Sequence, residues 1–412
     1  MNNEKVSIII PAWNLWDMTA ACLRSLARHT QGENVEIVVV DNGSADATAT
    51  ELEPLGRALW GAAFCPLRLN ENVGFAGGCN AGARAAGGDL LFFLNNDTTM
   101  TSGWLPPLRE ALGRRRTGAV GPLLLYPPGT VQHCGISFTP FLQVGHLYEG
   151  FPGGHPAPRK KRPLQAITGA AMLLRKDVFW ECGGFFEGFR NGFEDMDLCC
   201  ELRARGHALA VEGRSVIIHH ASQTPGRFDH DGANSSLLGQ RQAHRFSPDL
   251  HTLAALDGYE LRLGANLDCW LELPEAVEQK RNAAFDARPS ADEEACRAEL
   301  EREPLWRGGW RRLVDMLEAR GDMAAALLSA TRCVMLLGDE ASRERLLRLT
   351  AAVEGPDSAA SVRAALTGPS GADRREGEAK ARVQHARRAA YAMGDSLLAE
   401  VFNQWLLRYG RA

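Results

Sequence analysis

No run of apolar residues in this chain approaches the ~20 that a membrane-spanning helix needs. Any membrane contact is therefore expected to be peripheral. The ten cysteines are scattered, with only Cys199 and Cys200 adjacent, and none is spaced as a zinc-type pair. That excludes a short disulfide framework and points to reduced thiols in a cytosolic protein. A net charge of −4 gives no global argument for nucleic acid. A Walker A motif is missing, which argues against a P-loop kinase. After the first apolar segment, where a dinucleotide site needs G-x-G-x-x-G, stands Pro11-Ala12-Trp13-Asn14. Met1-Asn2-Asn3-Glu4-Lys5 leads directly into that segment, unlike a signal peptide. What remains is an ordinary soluble composition, 45% hydrophobic and 23% charged, in 412 residues. That length suits two or three domains.

Strand and helix patterns alternate through roughly the first hundred residues. Residues 6–10, 35–40, 67–69 and 90–94 read as strands, and 17–30 and 75–86 as helices. This alternation predicts an α/β fold with a mostly parallel sheet and right-handed crossovers. Residues 121–162 loosen into Pro/Gly-rich loops, with Arg159-Lys160-Lys161-Arg162 in an exposed one. Residues 191–205 read as a helix and 208–218 as a strand ending at His219-His220. The catalytic-type domain is expected to span 1–235. Beyond it strand signals nearly vanish. Residues 236–355 read as helical, and Trp310, Leu313, Leu317, Gly321 and Ala324-Ala325-Ala326 follow a tetratricopeptide-like grammar. Residues 356–378 read as a linker and 379–412 as a final helical segment.

Ligands of open α/β sheets sit outside the carboxyl ends of the strands. Three strands end in polar tips: Pro11-Ala12-Trp13-Asn14, Asp41-Asn42-Gly43-Ser44 and Asn95-Asn96-Asp97. As neighbours in one sheet they would line a single crevice. A carboxylate there suits Mg²⁺ or Mn²⁺ against a phosphate; the alternative is a plain Asn/Asp turn. The glycines of Gly74-Phe75-Ala76-Gly77-Gly78 serve either phosphate contact or close helix packing. Gly192-Phe193-Glu194-Asp195-Met196-Asp197 opens a helix with three carboxylates, where the dipole favours them. Apolar neighbours would raise the pKa of a carboxyl there, as a general base needs. Successive helical residues diverge by about 100°, so Glu194 and Asp197 share a face. Asp195 is favoured as base, with Glu194 orienting the acceptor. Adjacent strand residues point to opposite faces. One of His219 and His220 therefore reaches the crevice, as a core histidine or as a metal ligand beside Asp97.

These five motifs, with Asn70-Glu71-Asn72-Val73-Gly74, resemble glycosyltransferase family 2, in its rhamnosyltransferase-like bacterial branch. The resemblance covers about residues 4–225. It implies a GT-A fold and inverting transfer from a nucleotide-diphosphate sugar, UDP- or dTDP-linked, to a hydroxyl of a glycan, lipid-linked or protein acceptor. Pro11, Ala12, Trp13, Asn14 and Asp41 would hold the nucleobase. Asn72, Gly74, Asn95, Asn96 and Asp97 would complete the nucleotide-sugar site. Asp97 would hold a divalent cation, Mn²⁺ or Mg²⁺, with His219 or His220, and Asp195 with Glu194 would form the acidic pair. Asn95 departs from the Asp of many members; its amide keeps an acceptor oxygen and loses a charge. The implied setting is bacterial surface polysaccharide synthesis, in the cytoplasm or peripheral to the inner membrane. The C-terminal helices lie outside the resemblance; they are expected to bind a protein partner, the acceptor or a second copy, or to pack against the catalytic domain. A non-catalytic scaffold and a sugar nucleotidyltransferase are the rival readings.

Overall fold

The computed structural model describes residues 4–221, 229–242, 244–367 and 376–410. The chain divides into two compact units. The first comprises residues 1–137, 144–149 and 156–247, the second 138–143, 150–155 and 248–412.

The first unit begins with β1 (Val6–Ala12), α1 (Trp16–His29), β2 (Val35–Asp41), α2 (Thr48–Trp60), β3 (Phe64–Arg68), α3 (Gly74–Ala85) and β4 (Leu90–Leu94). β5 (Thr98–Met100), α4 (Leu105–Leu112), β6 (Thr117–Leu125) and β7 (Val131–His133) follow. After β8 (Ile136–Phe138) and β9 (Val144–His146) come β10 (Ala171–Arg175), α5 (Lys176–Glu181), α6 (Glu194–Ala204), β11 (Ala208–His219) and α7 (Asp231–Arg241). A nine-stranded sheet runs β3-β2-β1-β4-β10-β6-β11-β5, with β7 also on β6. Its first four strands are parallel, as the alternation predicts. β10 is antiparallel to β4 and β6, and β5 to β11, while β11 and β6 are parallel. This is the expected GT-A type of α/β architecture, with the parallel character confined largely to one half.

Why these residues form these strands is plain in the first half. Val6, Ile8, Ile9 and Ile10, then Ile37 to Val40, then Leu90 to Leu94, are fully or almost fully buried. Apolar residues on both faces suit strands covered by helices on either side. The glycines of α3 let that helix lie close to the sheet: a Cβ at Gly82 would meet Ile9 Cγ2 at 2.5 Å. The second half departs from the sequence reading. β6 lies in the stretch that reads as loose, because Gly118, Gly121 and Pro122 imitate turn signals. It is nonetheless a buried strand, and a Cβ at Gly121 would come within 3.1 Å of the Ala171 carbonyl. α6 starts three residues later than expected. Asn191, Gly192 and Phe193 all take positive φ (53°, 153° and 74°), which no helix continues.

The second unit contains α8 (Leu250–Ala255), β12 (Glu260–Leu263), β13 (Cys269–Glu272), α9 (Glu275–Asp286), α10 (Glu293–Arg302), α11 (Arg307–Ala319) and α12 (Met323–Leu337). α13 (Glu340–Val353), α14 (Pro356–Thr367), α15 (Glu376–Ala392) and α16 (Ser396–Tyr409) complete it. From α10 to α14 each helix packs on the next. The hairpin β12–β13 interrupts the region 236–355 expected as helical; its Glu-Leu-Arg-Leu strand alternates with period two. The stretch expected as a linker carries α14, while 368–375 lie outside the described residues. All ten cysteines are free thiols. No described helix is long and apolar enough to cross a membrane.

The centre of the first core is Phe92, fully buried with its ring 4.8 Å from that of Trp104. Phe92→Ala should cost about 3–5 kcal/mol of the first unit's stability in urea unfolding. A loss below about 1 kcal/mol would show that this layer collapses around the change.

Candidate functional site

The carboxyl ends of β1, β2 and β4 open into one cavity of about 450 Å³. Pro11, Ala12, Trp13, Asn72, Asn95, Asn96 and Asp97 line it. Asn14, Asp41 and Gly74 stand behind the wall. The Asn14 amide N–H donates to Ser44 Oγ (2.8 Å), and its Oδ1 accepts from the Ala45 N–H (2.9 Å). Asp41 Oδ1 accepts from the Ser44 N–H (2.8 Å), and its other oxygen pairs with Arg68. The Gly74 carbonyl accepts from Asn42 Nδ2 (3.0 Å). Asn42, part of the second strand tip but not singled out there as a site residue, lines the cavity. Its Nδ2 also donates to Asn72 Oδ1 (3.0 Å), and its Oδ1 accepts from the Val73 N–H (2.9 Å). One amide thus ties the second strand tip to the loop after β3.

The pairing of β5 with β11 sets His219 opposite Thr98 and brings it beside the third tip. His219 Nε2 lies 3.0 Å from Asp97 Oδ1 and 3.2 Å from Asn95 Nδ2. His219 lines the cavity, whereas His220 is not among the lining residues and its Nε2 lies 3.2 Å from Thr99 Oγ1. Asn95 Oδ1 and Asp97 Oδ1 are buried oxygens that accept no well-aligned hydrogen bond among the described residues, Asp97 Oδ1 having the His219 ring nitrogen 3.0 Å away. A buried carboxylate oxygen, a ring nitrogen and an amide whose half-turn would add an oxygen suit a hard divalent cation whose remaining positions go to phosphate oxygens and water. Among the described residues no three His, Cys, Asp or Glu side chains cluster for a metal; the set closes only by counting Asn95.

Glu194 and Asp195 both line the same cavity. Glu194 folds back, its Oε2 accepting from the Gly192 N–H (2.7 Å). Asp195 is half-buried, and its Oδ2 accepts from the Gly169 N–H (2.8 Å). The pairing of Glu194 with Asp197 on one face does not hold at the cavity. Asp197 is turned away into a two-pronged ion pair with Arg241 (2.9 and 3.0 Å) and also accepts from Gln242 Nε2 (2.6 Å).

The loop Thr168-Gly169-Ala170 joins both sides. The Ala170 carbonyl accepts from the Asn95 N–H (2.9 Å), and the Thr168 N–H donates to His133 Nε2 (3.3 Å). His133 Nδ1 lies 2.8 Å from His146 Nδ1. An Nε2 that accepts leaves the proton on His133 Nδ1, which donates to His146. Tyr126 donates to Glu149 Oε1 (2.5 Å); burial and that carboxylate push its phenol pKa up. His133, His146, Tyr126 and Glu149 all line the cavity. Nothing in their local sequence marks them, since they meet only through the pairing of β6 with β7 and the β9 segment.

Residues 7–183 match the family model described as Glycosyl transferase family 2. The chain is 33% identical over 226 residues to the O-antigen biosynthesis protein RfbC of Myxococcus xanthus, covering 53% of this chain and 17% of that protein. It is 28% identical over 254 residues to an N-acetylglucosaminyl-diphospho-decaprenol L-rhamnosyltransferase of Mycobacterium tuberculosis, covering 56% and 80%. The chain thus spans under a fifth of the length of the first relative. A solved structure of GalNAc-T7 with UDP, GalNAc and Mn²⁺ aligns at 18% identity and a TM-score of 0.45, over 53% of this chain and 44% of that one.

Burial, and then the charge of His146 and His219, hold His133 well below the ordinary histidine pKa. In the unfolded chain it takes a proton near pH 6.5. The unfolded state therefore binds the extra proton, and stability falls as pH drops below about 6.5. His133→Gln should flatten that acid-side slope by up to about 1.4 kcal/mol per pH unit, measured by urea unfolding between pH 7 and pH 5. An unchanged slope would contradict a neutral buried His133.

Proposed function

Because residues 7–183 give this chain a glycosyltransferase family 2 domain, we propose that its first unit is a cation-assisted, inverting glycosyltransferase. The observation that carries this reading is that Asp97, Asn95 and His219, which cluster together, line the same cavity as Asp195 and Glu194. On this reading the donor is a UDP- or dTDP-linked sugar. Trp13, 39% exposed at the first strand tip, offers its ring to the base. Pro11, Ala12 and Asn72 form the wall beside it, and Asn96, which also donates to Thr19 Oγ1 (2.8 Å), extends it. Asn14, Asp41 and Gly74 act through the loops that they brace.

Asp97, His219 and the Asn95 amide would hold the Mn²⁺ or Mg²⁺. That ion, when bound, offsets negative charge on the leaving diphosphate. Asp195 takes the proton of the acceptor hydroxyl while the hydroxyl oxygen attacks the anomeric carbon from the face opposite the diphosphate. The bond to the diphosphate oxygen breaks as the new glycosidic bond forms, so the anomeric configuration inverts. The Gly169 N–H fixes the direction of the Asp195 carboxylate, and Glu194 orients the acceptor. The names of the relatives support a rhamnose-like sugar and a lipid-diphosphate or polysaccharide acceptor in surface polysaccharide synthesis. The second unit, on the same reading, carries a protein partner or a second copy. A non-catalytic scaffold needs no such convergence of acids and imidazole. A sugar nucleotidyltransferase would release pyrophosphate rather than a nucleoside diphosphate, which a product assay separates.

Asp195→Asn keeps the shape and removes the base. It should lower transfer by roughly 10²–10⁴-fold while UDP affinity, read by calorimetry with Mn²⁺, stays within about threefold. A parallel loss of UDP binding would sink the assignment of the base.

A further inference from the structure

We infer that Gln132 is a positioning residue that sets the tautomer of His219 and thereby turns its Nε2 lone pair toward Asp97 as a cation ligand. This rests on the cation reading of the same corner. Gln132 sits on β7, is 4% exposed, and reaches the end of β11. Its Nε2 donates to the His219 carbonyl (3.1 Å). A carbonyl only accepts, so the amide must present its NH₂ there. The amide oxygen is then turned to the ring, and Gln132 Oε1 lies 2.6 Å from His219 Nδ1. An amide oxygen also only accepts, so Nδ1 must carry the proton. In the neutral ring the lone pair is therefore on Nε2.

That nitrogen lies 3.0 Å from Asp97 Oδ1 and 3.2 Å from Asn95 Nδ2. Two acceptors at this distance repel unless a positive charge lies at them. The Asn95 amide now gives Nδ2 to the ring and leaves its buried Oδ1 without a donor. A half-turn of that amide would present an oxygen instead. The backbone carbonyl of His219 thus decides the amide, the amide decides the tautomer, and the tautomer leaves Nε2 without a proton at the corner it shares with Asp97 and Asn95. The competing arrangement is an imidazolium that donates to Gln132 and to Asp97 with no cation.

The test is a Mn²⁺ titration of the purified protein with UDP present, free Mn²⁺ being read by electron paramagnetic resonance. Gln132→Leu should weaken Mn²⁺ binding 10–100-fold. Gln132→Glu, which keeps an acceptor for the Nδ1 proton, should stay within about tenfold of wild type, a rescue that a mere packing role would not produce. Where the ring of wild-type His219 is neutral, its ¹⁵N spectrum without metal should show the proton on Nδ1 rather than on Nε2. Equal binding by wild type and Gln132→Leu, or equal loss in Gln132→Glu and Gln132→Leu, overturns the inference. So does a neutral ring that carries its proton on Nε2 in that spectrum. A wild type that binds no Mn²⁺ overturns the cation reading, and this inference with it.

Discussion

Three consecutive backbone groups, at Thr168, Gly169 and Ala170, hold the two chemical halves of the cavity in register. The Ala170 carbonyl takes the Asn95 N–H at the start of the third strand tip. The Gly169 N–H holds the Asp195 carboxylate, and the Thr168 N–H holds His133. The separation between the proposed cation corner and the proposed base is therefore fixed by one short loop. Gly169 is needed for this closeness: a Cβ there would stand 3.1 Å from Asp195 Cβ. Backbone hydrogen bonds in a partly desolvated site are stiff, and a displacement that rests on in-line geometry tolerates little slack.

The loop can do this because of what lies on either side of it. The parallel strands β1, β2 and β4 end together and supply the wall. The mixed half supplies what the wall lacks. β10, antiparallel to β4, follows directly after the loop and keeps it at the third tip. β11 brings His219 next to Asp97, and β7 brings Gln132 behind His219. The core under these strands is continuous from Val6 to Ile217. A change in the packing of one half is therefore felt as a shift of ligand geometry in the other.

How much of this is legible in sequence differs by part. The three strand tips are, because each is a β-branched or apolar run that stops at Asn or Asp. The acidic helix start is too, since Glu194 and Asp195 stand next to each other after a glycine. That His219 rather than His220 lines the cavity is not, because strand alternation alone leaves both open and only the pairing of β11 settles which one faces it. β6 is hidden by Gly118, Gly121 and Pro122, which read as breakers until burial on both faces overrides them. Asn42 and Gln132 act through contacts to residues 30 to 87 positions away. Thr168-Gly169-Ala170 acts through backbone groups, which every sequence has. Such functions leave no local pattern to find.

The central claim is that one cavity at these strand tips holds a nucleoside diphosphate and a divalent cation between Asp97 and His219. Crystals grown with Mn²⁺ and UDP, measured at the manganese absorption edge, test it most directly. The account predicts an anomalous peak in contact with Asp97 and His219, with the diphosphate on its cavity side. UDP bound elsewhere, or an anomalous peak away from Asp97, would contradict it.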